Sequence, residues 1–473
     1  MTPVQSIAYI APSMILAFLT SPMGILQGIY AKHFGMSLAA IATVLLVSRL
    51  FDAVSDPLIG YWSDRYHSKS GSRKPFVIVG GLLFIVSSYF LYVPVDPDHL
   101  NAETVVSTTY FMGWFLVFYL AWALVEIPHL AWGAELATST QEKNKIYSLR
   151  AFSTYAGILL FYLVPFLPIF SGNAFTPQTL QWTAVAAGLL MLPVLYCCVK
   201  LTPDGARISR QRGKQTNLWA LRNEILSNKP FLIFTAAFAL YGMGAAGMIF
   251  TLLFIFIDTY LGLSEHFALL SLIGICSCLL SLGFWYWVAN RLEKKVTWIL
   301  GVLFYVVGVL GISLLEPGVT GIAGLVVIIT LLYIASAAIT ALSPSLLADI
   351  IDYSTWKFGT DRTATYFSVY TFASKTSMAI GGSIGFGLAG WYGFDPSTAV
   401  HTEKAIFGLR LAACWLPTVI ILLSALTMAW VPMNAHRHRT IQRRLAARLA
   451  QRSTMSQQPI ADSTATALKT APS

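Results

Sequence analysis

Twelve stretches of about twenty mostly apolar residues follow one another along this chain and decide what it can become. They run roughly over 7–29, 38–62, 75–94, 106–132, 148–170, 180–199, 230–257, 266–290, 296–315, 318–342, 364–390 and 405–431. A helix of that length crosses the hydrocarbon core of a bilayer and satisfies its own backbone hydrogen bonds there. Charged residues make up only 11% of the chain, against about 25% in a soluble domain. Too little polar surface is available to cover such a chain in water. A soluble enzyme, a disordered protein and a secreted disulfide scaffold are therefore excluded, and the expectation is an all-α integral membrane protein with twelve transmembrane helices.

The connections are short except for 200–229, 343–363 and the tail from 432. The first of these falls at the midpoint. The chain thus reads as an N-terminal six-helix bundle (1–200), a basic cytoplasmic linker (201–229), a C-terminal six-helix bundle (230–432) and a basic, then disordered, cytoplasmic tail (433–473). Two bundles of this kind enclose a central cavity. Lysine and arginine fall in alternate loops: 25 on the side of the termini and two, Lys32 and Lys404, on the other. Positive loops stay inside, so both termini are expected in the cytoplasm and the protein in the cytoplasmic (inner) membrane. The net charge of +10 then reflects topology rather than nucleic-acid binding. No lysine or arginine precedes the first apolar run, so Ile7–Ile29 is read as a retained helix and not a removed signal peptide. In the tail, Ile441, Leu445 and Leu449 form one helical stripe among six arginines between His436 and Arg452, a pattern that suits anionic lipid or serves as a topology anchor with no further role. The five cysteines, Cys197, Cys198, Cys276, Cys278 and Cys414, sit in apolar runs without zinc spacing and are read as buried thiols.

Six ionisable residues lie where an ionised side chain costs most: Arg49, Asp52 and Asp56 in the second span, Glu126 in the fourth, Arg150 in the fifth and Lys375 in the eleventh. Unpaired, they would cost on the order of 15–20 kcal/mol on insertion scales. Three acids face three bases, so they must meet one another or line water. Arg49, Asp52, Asp56 and Gly60 share one helical stripe. Two carboxylates a turn apart repel unless a cation or proton sits between them, and Glu126 is the obvious third oxygen donor. Pro128 and the glycines Gly381, Gly382, Gly385, Gly387 and Gly390 suit a kinked fourth span and a closely packed eleventh.

The stretch Arg49-Leu-Phe-Asp52-Ala-Val-Ser-Asp56-Pro57-Leu-Ile-Gly60, followed by Tyr-Trp-Ser-Asp64-Arg65 and Gly71-Ser-Arg73-Lys74-Pro75, resembles the glycoside–pentoside–hexuronide:cation symporter family of the major facilitator superfamily. Glu126-Ile-Pro128, Arg150, and Asp349-Ile-Ile-Asp352-Tyr353 followed by Lys375 resemble the family in place and order. The resemblance implies a major facilitator fold that works by alternating access. It implies a coupling-cation site at Asp52, Asp56 and Glu126, the first two able to hold a sodium ion. Substrate contacts fall to Glu126, Arg150 and Lys375, a charge network to Arg49 and Lys375, and a cytoplasmic gate to Asp64, Arg65, Arg73 and Asp352. The family's helix-one aspartate falls near Leu16, its threonine before the helix-four acid is Ala123, and its stacked aromatic after Ile-Pro is replaced by His129 and Leu130. These departures make a proton at least as good a coupling ion as sodium.

The expected function is therefore cation-coupled symport, by Na+ or H+, of a glycoside, uronide or related polar organic solute by a monomeric carrier. No cofactor, resident metal or nucleic acid is expected, and lipid is the surrounding partner. A lysophospholipid-type carrier of the same superfamily branch is the alternative. An integral membrane enzyme is disfavoured: His129 alone among eight histidines sits in a span, and no metal-binding or nucleophile–base cluster accompanies it.

Overall fold

A computed structural model describes residues 2–95, 97, 105–136, 140–204, 223–318, 322–359, 363–398, 400–434, 436–444 and 447. These residues are helical or irregular, with no strand among them. We number the spanning helices α1 (Pro3–Thr20), α2 (Leu38–Ser70), α3 (Lys74–Tyr92), α4 (Thr108–Leu136), α5 (Thr140–Leu163) and α6 (Pro177–Leu201) in the first half. The second half holds α7 (Lys229–Tyr260), α8 (Phe267–Leu292), α9 (Lys294–Ser313), α10 (Ile322–Phe358), α11 (Thr363–Trp391) and α12 (Glu403–Ala429). Among the described residues, eleven helices are long and apolar enough to cross a membrane. The 29-residue α11 completes the twelve. The chain is a multi-pass membrane protein built as two six-helix bundles.

Local chemistry sets the ends. Ser37 caps α2 by accepting a hydrogen bond from the Ala40 amide at 3.2 Å, which satisfies one of the amides a helix start leaves open. Gly71 ends α2 at φ 77°, a left-handed conformation that glycine adopts without steric cost. Pro22 lacks an amide hydrogen, and α1 gives way there to a tight turn, Ser21–Gly24, before resuming as Leu26–His33. The first span therefore begins earlier and is interrupted, unlike the continuous 7–29 of the sequence reading.

The connection expected over 343–363 is mostly helix. α10 runs 37 residues to Phe358, about 55 Å of rise, because Ile350, Ile351 and Tyr353 remain buried beyond the bilayer segment. The thiols also differ from expectation: Cys198 and Cys414 are buried, whereas Cys197 and Cys276 are exposed on the outer surface and Cys278 is intermediate. In a membrane protein apolar side chains face outward as readily as inward. The linker from 205 to 222, and Leu445 and Leu449 of the tail, lie outside the described residues.

The halves meet along α2 and α11, along α5 and α8, and where the interrupted end of α1 meets α7. Within the second half α7 crosses α11 backbone to backbone: a Cβ on Gly381 would stand 2.0 Å from the Met243 carbonyl oxygen. The glycine stripe of α11 thus serves close packing, as small residues do between membrane helices. Gly381→Val is expected to destabilise the detergent-solubilised protein by on the order of 1–3 kcal/mol. Gly387→Ala, whose Cβ would meet Ala42 at an ordinary 3.9 Å, should leave the apparent melting temperature unchanged in the same thermal assay.

Candidate transport site

Each intramembrane charge found in the sequence has a partner of opposite sign. On α2, Arg49 Nη1 donates to Asp52 Oδ2 at 2.8 Å, one turn along the same stripe. Asp56, the next acid on that stripe, accepts from Lys375 Nζ of α11 at 2.5 Å. That ion pair joins the two bundles across 319 residues of sequence. Glu126 of α4 accepts from Arg150 Nη2 of α5 at 2.5 Å, and Arg150 Nε donates to Ser13 Oγ of α1 at 3.0 Å. The three acids expected to converge are therefore each held by a base. The two aspartates stand on one stripe of α2, and Glu126 reaches that region through its own helix. Tyr119, Trp122 and Glu126 share one face of α4. Arg49 lies 4.9 Å from the Tyr119 ring centre and Lys375 5.6 Å from that of Trp122.

Burial separates the groups. Asp52 is 6% exposed, while the side chains of Asp56, Lys375 and Glu126 keep 23%, 34% and 30% of their surface. A carboxylate shielded by one arginine and a carboxylate open beside one lysine respond differently to an arriving cation. Asp56 is the more accessible of the two α2 carboxylates.

Beside these pairs lies a cavity of about 350 Å³, within the range of small-ligand sites. Arg49, Tyr119, Trp122 and Glu126 form part of its wall, with Ser13, Gln27, Thr154 and Tyr162 opposite the apolar Phe250 and Met378 of the second half. Arg150 stands behind that wall, bonded to Glu126 and Ser13, and Lys375 and the two aspartates stand outside it. The broken end of α1 contributes Thr20, Ser21 and Gly24, where a spanning helix can present backbone to a cavity. Gln27 Oε1 and Arg49 Nε are buried without a hydrogen-bond partner among the described residues. An acceptor and a donor thus lie unsatisfied just behind the cavity surface, where a small rotation of either side chain would offer them to a polar solute.

Sequence reading missed Gln27, Tyr119, Trp122 and Tyr162, since amides and aromatics in apolar runs carry no cost that marks them. His129 is not part of the cavity: fully buried, its Nε2 meets the Tyr9 carbonyl oxygen at 2.8 Å.

Of the residues expected to form a gate, Arg73 donates to Asp64 at 2.7 Å and to Ser63 at 2.8 Å, and Arg65 donates to the Tyr61 hydroxyl at 3.5 Å. Asp352 accepts from His438 at 2.9 Å. This last contact belongs to the tail, whose described part packs on α10: Ile441 is 4% exposed, and Arg437 and Arg444 lie over Tyr353 and Trp356. The apolar stripe begins by facing protein, not the lipid expected for it.

On the face opposite the termini the bundles are sealed by contacts the sequence did not mark as special. Lys32 Nζ meets Asp258 Oδ2 at 2.6 Å, with the aspartate side chain 2% exposed. Glu265 of one half accepts from the Asn173 amide of the other. A Cβ on Gly28 would stand 2.4 Å from Phe254, so only glycine fits this closure. Lys32→Met leaves Asp258 buried and unpaired, which typically costs 3–5 kcal/mol. Faster labelling of a Thr251→Cys probe by an impermeant thiol reagent from that face is expected. Adding Asp258→Leu should restore slow labelling.

The profile of the MFS/sugar transport protein family matches residues 3–435. Similar proteins include the isoprimeverose transporter of Lactiplantibacillus pentosus, 24% identical over 423 residues that cover 86% of this chain and 83% of that protein. The glucuronide carrier protein homolog of Escherichia coli (strain K12) is 25% identical over 425 residues, covering 87% and 88%. The inward-facing, unoccupied crystal structure of a bacterial homolog of the human lysosomal transporter Spinster has a TM-score of 0.69 at 14% identity, covering 94% of this chain and 98% of that one; it shows the shared fold. The chain belongs to the MFS/sugar transport protein family.

Proposed function

We propose that this protein is a secondary active transporter that carries a glycoside or uronide across the cytoplasmic membrane together with a monovalent cation, Na+ or H+, with both termini in the cytoplasm. The observation that carries the reading is the Asp56–Lys375 ion pair between the bundles. A cation taken up by Asp56, with Asp52 one turn away, competes with Lys375 for the same carboxylate. Loading the ion therefore loosens one tie between α2 and α11, and emptying it restores that tie. Solute bound against Gln27, Arg49 and Glu126 sits beside the same helices and biases the same equilibrium, as coupling requires. With the face opposite the termini sealed at Lys32–Asp258, rocking of one bundle on the other exposes the cavity alternately.

The relatives' names support a sugar-type cargo: one is called an isoprimeverose transporter and one a glucuronide carrier homolog. Arg49 and Arg150 beside the cavity suit a uronate carboxylate as well as a neutral sugar, since a guanidinium binds a carboxylate in a forked geometry. The positive charge on the loops near the termini supports cytoplasmic termini. The Asp64–Arg73 pair at the end of α2 and Asp352 at the end of α10 belong, on this reading, to the cytoplasmic closure.

Proteoliposomes tested with a panel of sugars, glycosides and uronides, with sodium and pH gradients imposed separately, decide the reading. Accumulation of one panel member should follow one of the two gradients. Asp56→Asn should reduce accumulation to equilibration or below, a loss on the order of tenfold or more, while the purified variant stays folded. Uptake that ignores both gradients would make the protein a uniporter. Gln27→Leu should raise the half-saturating solute concentration roughly tenfold, as loss of a hydrogen bond in a buried site does, with ion dependence retained.

A further inference from the structure

A second chamber lies in the C-terminal bundle, beside the charged cavity and of different chemistry. Its volume is about 540 Å³, and its walls are Phe238, Tyr241, Tyr305, Tyr333 and Tyr370 with aliphatic side chains between them. Phe238 and Tyr370 have ring centres 4.5 Å apart, and Tyr241 and Tyr305 meet edge to face at 5.7 Å. Among the described residues, no charged or amide side chain lines it. The polar groups present are hydroxyls, and that of Ser336 is engaged with the Tyr333 carbonyl oxygen at 2.9 Å.

Two features connect this chamber to transport rather than to packing. Phe250 and Met378 line both it and the charged cavity, so the two volumes share one wall. Methionine has three rotatable bonds and moves aside at little cost. The same wall includes the π-helical stretch Gly242–Ile249 of α7, which runs into Phe250 and packs on α11 beside Met378; such stretches recur at functional sites. Thr340 and Pro344 at the rim are exposed.

A second sugar ring would bring several hydroxyls into a chamber whose walls are mostly apolar and whose polar groups are hydroxyls alone. This chamber offers aromatic faces and edges, which suit an aromatic group at centre distances of about 4.5–7 Å. We propose that it is an aglycone subsite, and that the substrate class is aryl glycosides whose sugar ring lies against Gln27 and Glu126 while the aryl group passes Phe250 and Met378. This rests on the symporter reading.

The test compares matched methyl and phenyl pairs of glucosides, xylosides and glucuronides as transported substrates and as competitors in proteoliposomes. Burial of a phenyl group should make the phenyl member of the transported pair bind at least roughly tenfold tighter. Ala246→Phe, which fills the chamber from α7, should erase that preference and leave ion-coupled uptake of the methyl glycoside within about twofold of wild type. Tyr305→Phe, which keeps the aromatic wall, should retain the preference. Ion-coupled uptake with equal affinity for methyl and phenyl members would overturn the subsite and leave the symporter reading intact. A preference unchanged by Ala246→Phe would also overturn it, as would tighter binding of an octyl glycoside or a lysophospholipid, which would assign the chamber to an acyl chain. Failure of every glycoside to be transported or to compete would remove the symporter reading and the subsite with it.

Discussion

A charge inside a bilayer is tolerable only if something neutralises it, and here that something lies in the other half of the molecule. Asp56 on α2 and Lys375 on α11 neutralise each other across the bundle interface. Either residue alone would cost several kcal/mol at that depth. The pair is therefore both a fold constraint and a weak point. It ties α2 to α11, yet its side chains are only partly covered, which is why the proposed mechanism places cation competition there. Arg49–Asp52 and Glu126–Arg150, by contrast, lie within the first bundle. They set the charge of one wall without tying it to the other half.

The charged centre and the solute cavity adjoin, and α4 makes them one system. Tyr119, Trp122 and Glu126 occupy a single face of that helix, so the rings that meet Arg49 and Lys375 also line the cavity. On the proposed mechanism, a cation that alters Arg49 or Lys375 would thereby alter the cavity wall. The far end of the molecule is held by different means: one buried ion pair, one backbone hydrogen bond to Glu265, and a glycine whose missing side chain admits Phe254. A closure built from a few such contacts can open without disturbing the bundles themselves, as alternating access demands.

The described start of the tail packs on protein. A stripe of Ile441, Leu445 and Leu449 among arginines reads as lipid-binding because lipid is the nearest apolar surface the sequence knows. Folding offers another in the aromatic end of α10, and Ile441, Arg437 and Arg444 take it. The extension of α10 to Phe358 supplies that surface, and the same extension turned an expected connection into helix.

Length and apolarity alone determined the twelve helices, because nothing else satisfies a backbone in hydrocarbon. The cost of intramembrane charge likewise singled out Arg49, Asp52, Asp56, Glu126, Arg150 and Lys375 before any coordinate was known. Which acid meets which base depends on how helices cross, and a one-dimensional chain carries no crossing angles. The stripe on α2 put Asp52 and Asp56 side by side and the balance of signs required bases nearby; the tertiary structure decides which base each acid meets. Gln27, Trp122 and the aromatic chamber around Tyr305 were beyond reach for a related reason: an amide or ring in an apolar run bears no penalty, and only its position against a cavity distinguishes it from packing.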